Sequence, residues 1–130
     1  MNDEDFRQAF LGRRLPAFHH RDHVRLAWIY LREDPGLVGI DRFVRELRSF
    51  AADAGKPDLY HETVTWGFLL LMRERMAGDM ASDFESFAAA NPEFLSWKPS
   101  VLERYYRAET LASPRARQVF TMPDRGLPQG

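Results

Sequence analysis

The sequence predicts an all-α protein of one domain. Apolar residues recur at i, i+3, i+4 and i+7 through most of the chain, the spacing of one helix face. Prolines fall between these stretches, where they end helices or open them. No segment sustains the alternation of a half-buried strand. The 130 residues amount to one domain, long enough for one real core.

The first predicted helix covers 3–12, with Phe6, Ala9 and Phe10 on one side and Gly12 as its stop. Asp3, Glu4 and Asp5 suit its N-terminus through the helix dipole. The second runs from His20 to Glu33, with Val24, Ala27, Trp28 and Leu31 inward, and ends at Asp34-Pro35 because a residue before proline avoids the α region. The third, 40–54, carries the stripe Ile40, Phe43, Val44, Leu47, Phe50 and Ala51, and Gly55 is its C-terminal stop. The fourth, 59–77, is apolar nearly all round, which predicts the buried centre of the fold. Ser82 and Glu85 form a capping box for a helix reaching Asn91-Pro92. Pro99 opens a helix to about 108, and Ser113-Pro114 starts a short one to Phe120. The tail from Met122 to Gly130 is expected to lie along the surface or fray. Four longer helices should form the bundle, with shorter ones closing one end.

Composition narrows the chemistry. Acidic residues number 19 and basic residues 18, so no surplus of charge supports a broad nucleic-acid-binding face. There are no cysteines, which removes disulfides, thiolate nucleophiles and thiolate metal sites. The acidic N-terminus is no signal peptide, and the apolar run Phe68 to Met72 is far too short to span a membrane. The expectation is a soluble, cytoplasmic, bacterial protein with neither nucleic acid nor membrane as partner. No acyl-hydrolase, NTPase or dinucleotide motif is present.

Two segments carry the chemistry that remains. The first, Phe18-His19-His20-Arg21-Asp22-His23, holds three of the four histidines. On a wheel of about 100° per residue, His20 falls within about 40° of Val24, Ala27 and Leu31, His23 lies about 60° aside, and His19 sits at the border. The second is Tyr60-His61-Glu62-Thr63-Val64-Thr65. Its His61 shares an arc with Thr65, Phe68 and Met72, and Glu62 stands at the edge. If helices two and four begin at the same end of the bundle, the inward imidazoles converge there.

His20, His23 and His61 would then suit Zn, Ni, Mn or Fe as a divalent metal, with an open position for water or a substrate oxygen. Without metal, His20, His61 and Glu62 become candidate catalytic groups for hydrolysis or proton transfer, with Tyr60, Thr65 and Tyr105 as ligand contacts. Thr63 and Thr65 can instead bond back to their own helix's carbonyls. The rival expectation is a non-catalytic interaction or regulatory module whose histidines are structural. Arg115 and Arg117 are read as solvated arginines beside a helix cap, or as an anion site.

Those segments, with Ala27-Trp28, Tyr105-Tyr106, Leu111, Ser113, Ala116-Arg117 and Pro123-Asp124-Arg125, resemble a family of small uncharacterised bacterial proteins of about this length. The likeness runs from Phe18 to Arg125. The family pattern Phe-x-His-x-x-His lands on His20 and His23 and leaves His19 variable. It implies kinship and brings no activity. A looser likeness, of architecture only, is to metal-binding four-helix bundles of the DinB type, whose paired histidines come late in the chain.

Overall fold

The computed structural model describes residues 1–78 and 83–125. Its α-helices are α1 (Asp3–Leu11), α2 (His20–Glu33), α3 (Leu37–Asp53), α4 (Glu62–Gly78), α5 (Phe84–Ala90), α6 (Ala108–Ala112) and α7 (Pro114–Gln118). Three short 3-10 helices, Pro57–Leu59, Pro92–Phe94 and Val101–Arg104, join them. Among the described residues there is no strand, and the fold is all-α. No helix there is long and apolar enough to cross a membrane.

The buried centre is α2, not α4 as the apolar pattern suggested. Val24 and every residue from Leu26 to Leu31 are buried, and α2 touches α1, α3, α4 and α5. Helix α4 buries Thr63, Thr65, Gly67, Leu69 and Met72, while Trp66, Phe68, Leu70 and Leu71 are only half-buried. Burial follows from how many neighbours surround a helix, and α4's own pattern does not report that number.

Helix boundaries follow local chemistry. The Asn2 side chain accepts the Asp5 N–H at 2.7 Å and starts α1. Helix α3 begins at Leu37, three residues before its apolar stripe, because Gly36 is extended and Asp34 accepts the Gly36 N–H at 3.0 Å. Gly39 lets the helix pass close to that corner, since a Cβ there would stand 1.9 Å from the Asp34 carbonyl oxygen. At the other end Gly55 takes φ +71°, with Lys56 N–H donating to Ala51 O and Gly55 N–H to Ala52 O, a Schellman closure. Ser82 lies outside the described residues. Asp83 does the capping there, accepting from Ser86 N–H at 2.8 Å.

Two expected helices divide. The stretch 59–77 splits into the 3-10 turn at Pro57–Leu59 and α4 from Glu62, so Tyr60 and His61 precede the helix. The stretch from Pro99 to about 108 becomes the 3-10 turn Val101–Arg104 and the separate α6. A reciprocal Ser100–Glu103 capping box fixes that 3-10 turn, and the Lys98–Pro99 peptide before it is cis.

The C-terminal elements are fastened to α4 by one hydroxyl. Thr63 is fully buried; its O–H donates to Ala116 O at 2.6 Å, and its oxygen accepts the Thr121 N–H at 3.0 Å. The Tyr106 hydroxyl donates to Thr121 O at 2.5 Å. The first residues of the expected tail are tied down too. Asp124 and Arg125 N–H groups donate to Tyr105 O, and the Asp124 carboxylate accepts from Arg107 N–H at 2.8 Å and from the Thr110 hydroxyl. Thr63→Val keeps the shape and removes the hydroxyl, stranding a buried carbonyl and a buried N–H. Urea unfolding of this variant should show a loss of about 1–3 kcal/mol, and an unchanged midpoint would contradict the clasp.

Candidate functional site

The opening turn of α2 and the residues that lead into α4 face one cavity of about 580 Å³. Its wall is mostly apolar, with Phe43, Leu47 and Ala51 from α3, Val24 and Ala27 from α2, and Val64, Phe68 and Met72 from α4. His20, His23, Tyr60, His61 and Thr65 line the same cavity. Glu62 and Tyr105, the other expected site residues, do not.

The histidines share a cavity but hold different jobs. His61 precedes α4 and caps it: Val64 N–H donates to its Nδ1 at 3.1 Å, while Nε2–H donates to Leu111 O at 2.7 Å. These bonds fix one neutral tautomer and occupy both ring nitrogens. His20 Nε2–H donates to Phe94 O at 2.8 Å, fastening the 3-10 turn Pro92–Phe94 to the start of α2. Its Nδ1 lone pair is left over. His19 is exposed and lies outside the lining; its backbone N–H donates to the Asp22 carboxylate at 2.9 Å.

His23 is the exception. Its ring packs against Phe18 at 4.0 Å between centroids, and Phe18 in turn meets Phe10 and Phe50. Among the described residues, its nitrogens make no hydrogen bond. Among the described residues no side-chain nitrogen or oxygen sealed from solvent lacks a partner, so the His23 nitrogens keep access to solvent, and the residue lines the cavity. Burial lowers its pKa to about 4, and the nearby His20 adds to the effect against a weaker opposing pull from Asp22. Burial also lowers His20, partly offset by its bond to the Phe94 carbonyl. Both rings are therefore neutral near pH 7.

Tyr60 is buried beside them and donates its hydroxyl to Glu62, which also accepts the Trp66 Nε1–H at 3.1 Å. Burial, and then Glu62, push the Tyr60 pKa up, so it stays a phenol. Glu62 is thus the anchor for Tyr60 and Trp66. Tyr105 serves through its backbone carbonyl, and its ring does not reach the cavity. Thr63, read as a ligand contact or as bonded back to its own helix, reaches the C-terminal segment instead.

Among the described residues, no group of three or more His, Asp or Glu side chains stands close enough to hold a metal ion. The expected set of His20, His23 and His61 is brought to one cavity without being gathered about one point. The reason is chemical: His61 Nδ1 and Nε2 and His20 Nε2 already face backbone partners.

Several residues outside the two histidine segments matter here. Trp97 is 49% exposed, stands 5.1 Å from the His20 ring and lines the cavity instead of joining the core. Lys56, Asp58 and Leu59 form its exposed margin. Arg117 lines it as well, donating to the carbonyls of Asp58 and Tyr60, while Arg115 is exposed and outside the lining. Pro57 ahead of the helix was the available sign that 57–60 makes a separate turn.

No protein-family model matches the chain, and no curated protein or solved structure is significantly similar to it. The chemistry of the cavity itself therefore bears the functional reading.

A depressed histidine pKa means that the unfolded chain binds the proton first. The His23 contribution is present above pH 6.5 and is lost as pH falls toward 4. His23→Phe keeps a ring against Phe18 and removes the titration. Between pH 7 and pH 5 the wild type should lose about 1–2 kcal/mol more stability than this variant, by urea unfolding at each pH. Parallel losses would show that His23 titrates normally.

Proposed function

We propose that the protein binds a small, largely apolar organic molecule in the cavity bounded by α2, α3 and α4. The observation that carries this reading is an apolar cavity of about 580 Å³ that contains a neutral imidazole, His23, with no partner of its own among the described residues. Ligand sites of small molecules have this size and this composition, an apolar wall with a few placed polar groups. A neutral imidazole has one donor and one acceptor, so His23 can meet a hydroxyl, an amide or a carbonyl on the ligand. The spare Nδ1 of His20 and the side chain of Thr65 are further contacts on the same lining.

The chemistry of His23 favours recognition over proton transfer. A ring whose pKa lies near 4 takes up few protons at neutral pH, and general bases work best near the ambient pH. Proton transfer by His61 would require the ring to leave Val64 N–H or Leu111 O, and His20 has only Nδ1 to offer while its Nε2–H stays on Phe94 O. A divalent metal on His20, His23 and His61 would require His61 to release Val64 N–H or Leu111 O. The structural-module reading is favoured at His20 and His61 by those same carbonyl bonds, and the two readings part at His23.

Titration with N-phenylnaphthylamine, a neutral dye that brightens in apolar surroundings, tests the proposal. One equivalent should bind with a dissociation constant in the micromolar range. Val64→Trp, which pushes a large ring into the cavity from a half-buried position on α4, should weaken binding at least about tenfold. Circular dichroism of the variant checks that the helices remain. Absence of dye binding, or binding indifferent to Val64→Trp, would refute the reading.

A further inference from the structure

We infer that the ligand is an anion, an apolar molecule bearing a carboxylate held at a basic rim around Arg48, Lys56 and Arg117. The inference rests on the ligand-binding reading above and names the ligand's class. It starts from a second cavity, of about 360 Å³, lined by Arg48, Pro57, Asp58, Tyr60, Arg117 and Gln118. Asp58, Tyr60 and Arg117 line both cavities, so the apolar chamber and this polar one adjoin. A molecule lying across them would have an apolar body on one side and a polar head on the other.

The charges at the junction favour a negative head. Arg48 lies over the Tyr60 ring at 4.9 Å and, among the described residues, pairs with no carboxylate. Among the described residues, Arg117 bonds only backbone carbonyls, those of Asp58 and Tyr60, and has no ion-pair partner. Lys56, on the margin of the apolar chamber, has no ion-pair partner among the described residues. Against these stand the exposed Asp58 carboxylate at the junction and Glu62 behind the Tyr60 hydroxyl, outside both linings. Some arginines elsewhere are neutralised by close carboxylates, as in Arg7–Glu33, Arg21–Glu85 and Arg75–Glu93, and others are not; what sets the rim apart is that its cations border two adjoining cavities. The rim keeps a positive surplus beside the polar chamber. Guanidinium groups meet carboxylates through paired, charge-assisted hydrogen bonds.

Tyr60 strengthens the assignment. Its hydroxyl is held by Glu62, and burial keeps it protonated, so it adds no negative charge to the junction. The residue lines both chambers, and its ring is the platform for Arg48. Both chambers are thereby built around one fixed side chain.

The test is displacement of bound N-phenylnaphthylamine by three chains of equal length: decanoate, decanol and decyltrimethylammonium. Decanoate should bind about tenfold or more tighter than decanol, and the cation weakest. Rising sodium chloride should weaken decanoate and leave decanol's affinity steady, since screening acts only on the charged pair. The side chains of Arg48 and Lys56 make no hydrogen bond among the described residues, so Arg48→Gln with Lys56→Gln tests the rim without touching the Arg117 contacts; it should bring decanoate down to decanol's affinity. Equal displacement by decanoate and decanol overturns this inference while leaving the apolar cavity as a binding site. A preference for the cation, or a decanoate preference that survives the double variant, also overturns it. Failure of the dye itself to bind would remove the underlying reading instead.

Discussion

The Thr63 hydroxyl is the constraint on which the rest of the molecule depends. A threonine with no solvent access must find partners for its oxygen, and this one finds them in a segment more than fifty residues away. One proton goes to Ala116 O and one N–H arrives from Thr121. Removing either would leave a buried polar group without a partner, which is more destabilising than a lost bond on the surface. The neighbours of Thr63 repeat the device. His61 bonds Leu111 O, and Arg117 returns to the carbonyls of Asp58 and Tyr60. Side chains of 60–65 thus grip the backbone of 111–121, and the latter segment grips back.

The same principle holds at the other edge of the cavity. His20 at the first position of α2 reaches Phe94 O, and Arg21 makes a forked contact with Glu85. The helix at the centre of the core therefore has its opening turn tied to α5 and to the 3-10 turn that follows it. Apolar burial supplies the bulk of the stabilisation, as in any small domain. The directional bonds decide where the walls stand. Together they hold a space open between three helices that would otherwise be free to close on one another.

Much of the fold was legible because helix signals are local. Asp34-Pro35 ends α2 and Ser113-Pro114 begins α7 for reasons contained within a few residues. Gly55 is required where φ is positive, and its neighbours leave no other reading. The inward face of α2 followed from period alone, and His20 and His23 do line the cavity it bounds. What stayed hidden depends on distant parts of the chain. Tyr60 and His61 continue the periodic pattern of α4, and Pro57 alone hints at a separate turn before it, yet His61 caps that helix and faces a carbonyl fifty residues on. A carbonyl acceptor has no sequence signature, because every residue has one. The cavity was hidden for a related reason: periodicity says which residues turn inward and not how closely they meet.

The division between Thr63 and Val64 has a consequence for how such a protein can change. Adjacent residues on a helix face different ways, so Thr63, which fastens the C-terminal segment, sits beside Val64, which shapes the cavity. Thr63 and Glu62 look outward to backbone and hydroxyl partners, while Val64 and Phe68 look into the space. His20, Tyr60, His61 and Arg117 both fasten and line, but the apolar lining residues take no part in the fastening bonds. Exchanging one apolar lining residue for another alters the shape a ligand meets and leaves every fastening bond in place. The molecule is in this sense a holder with an interchangeable insert, one whose selectivity can be recut by volume alone.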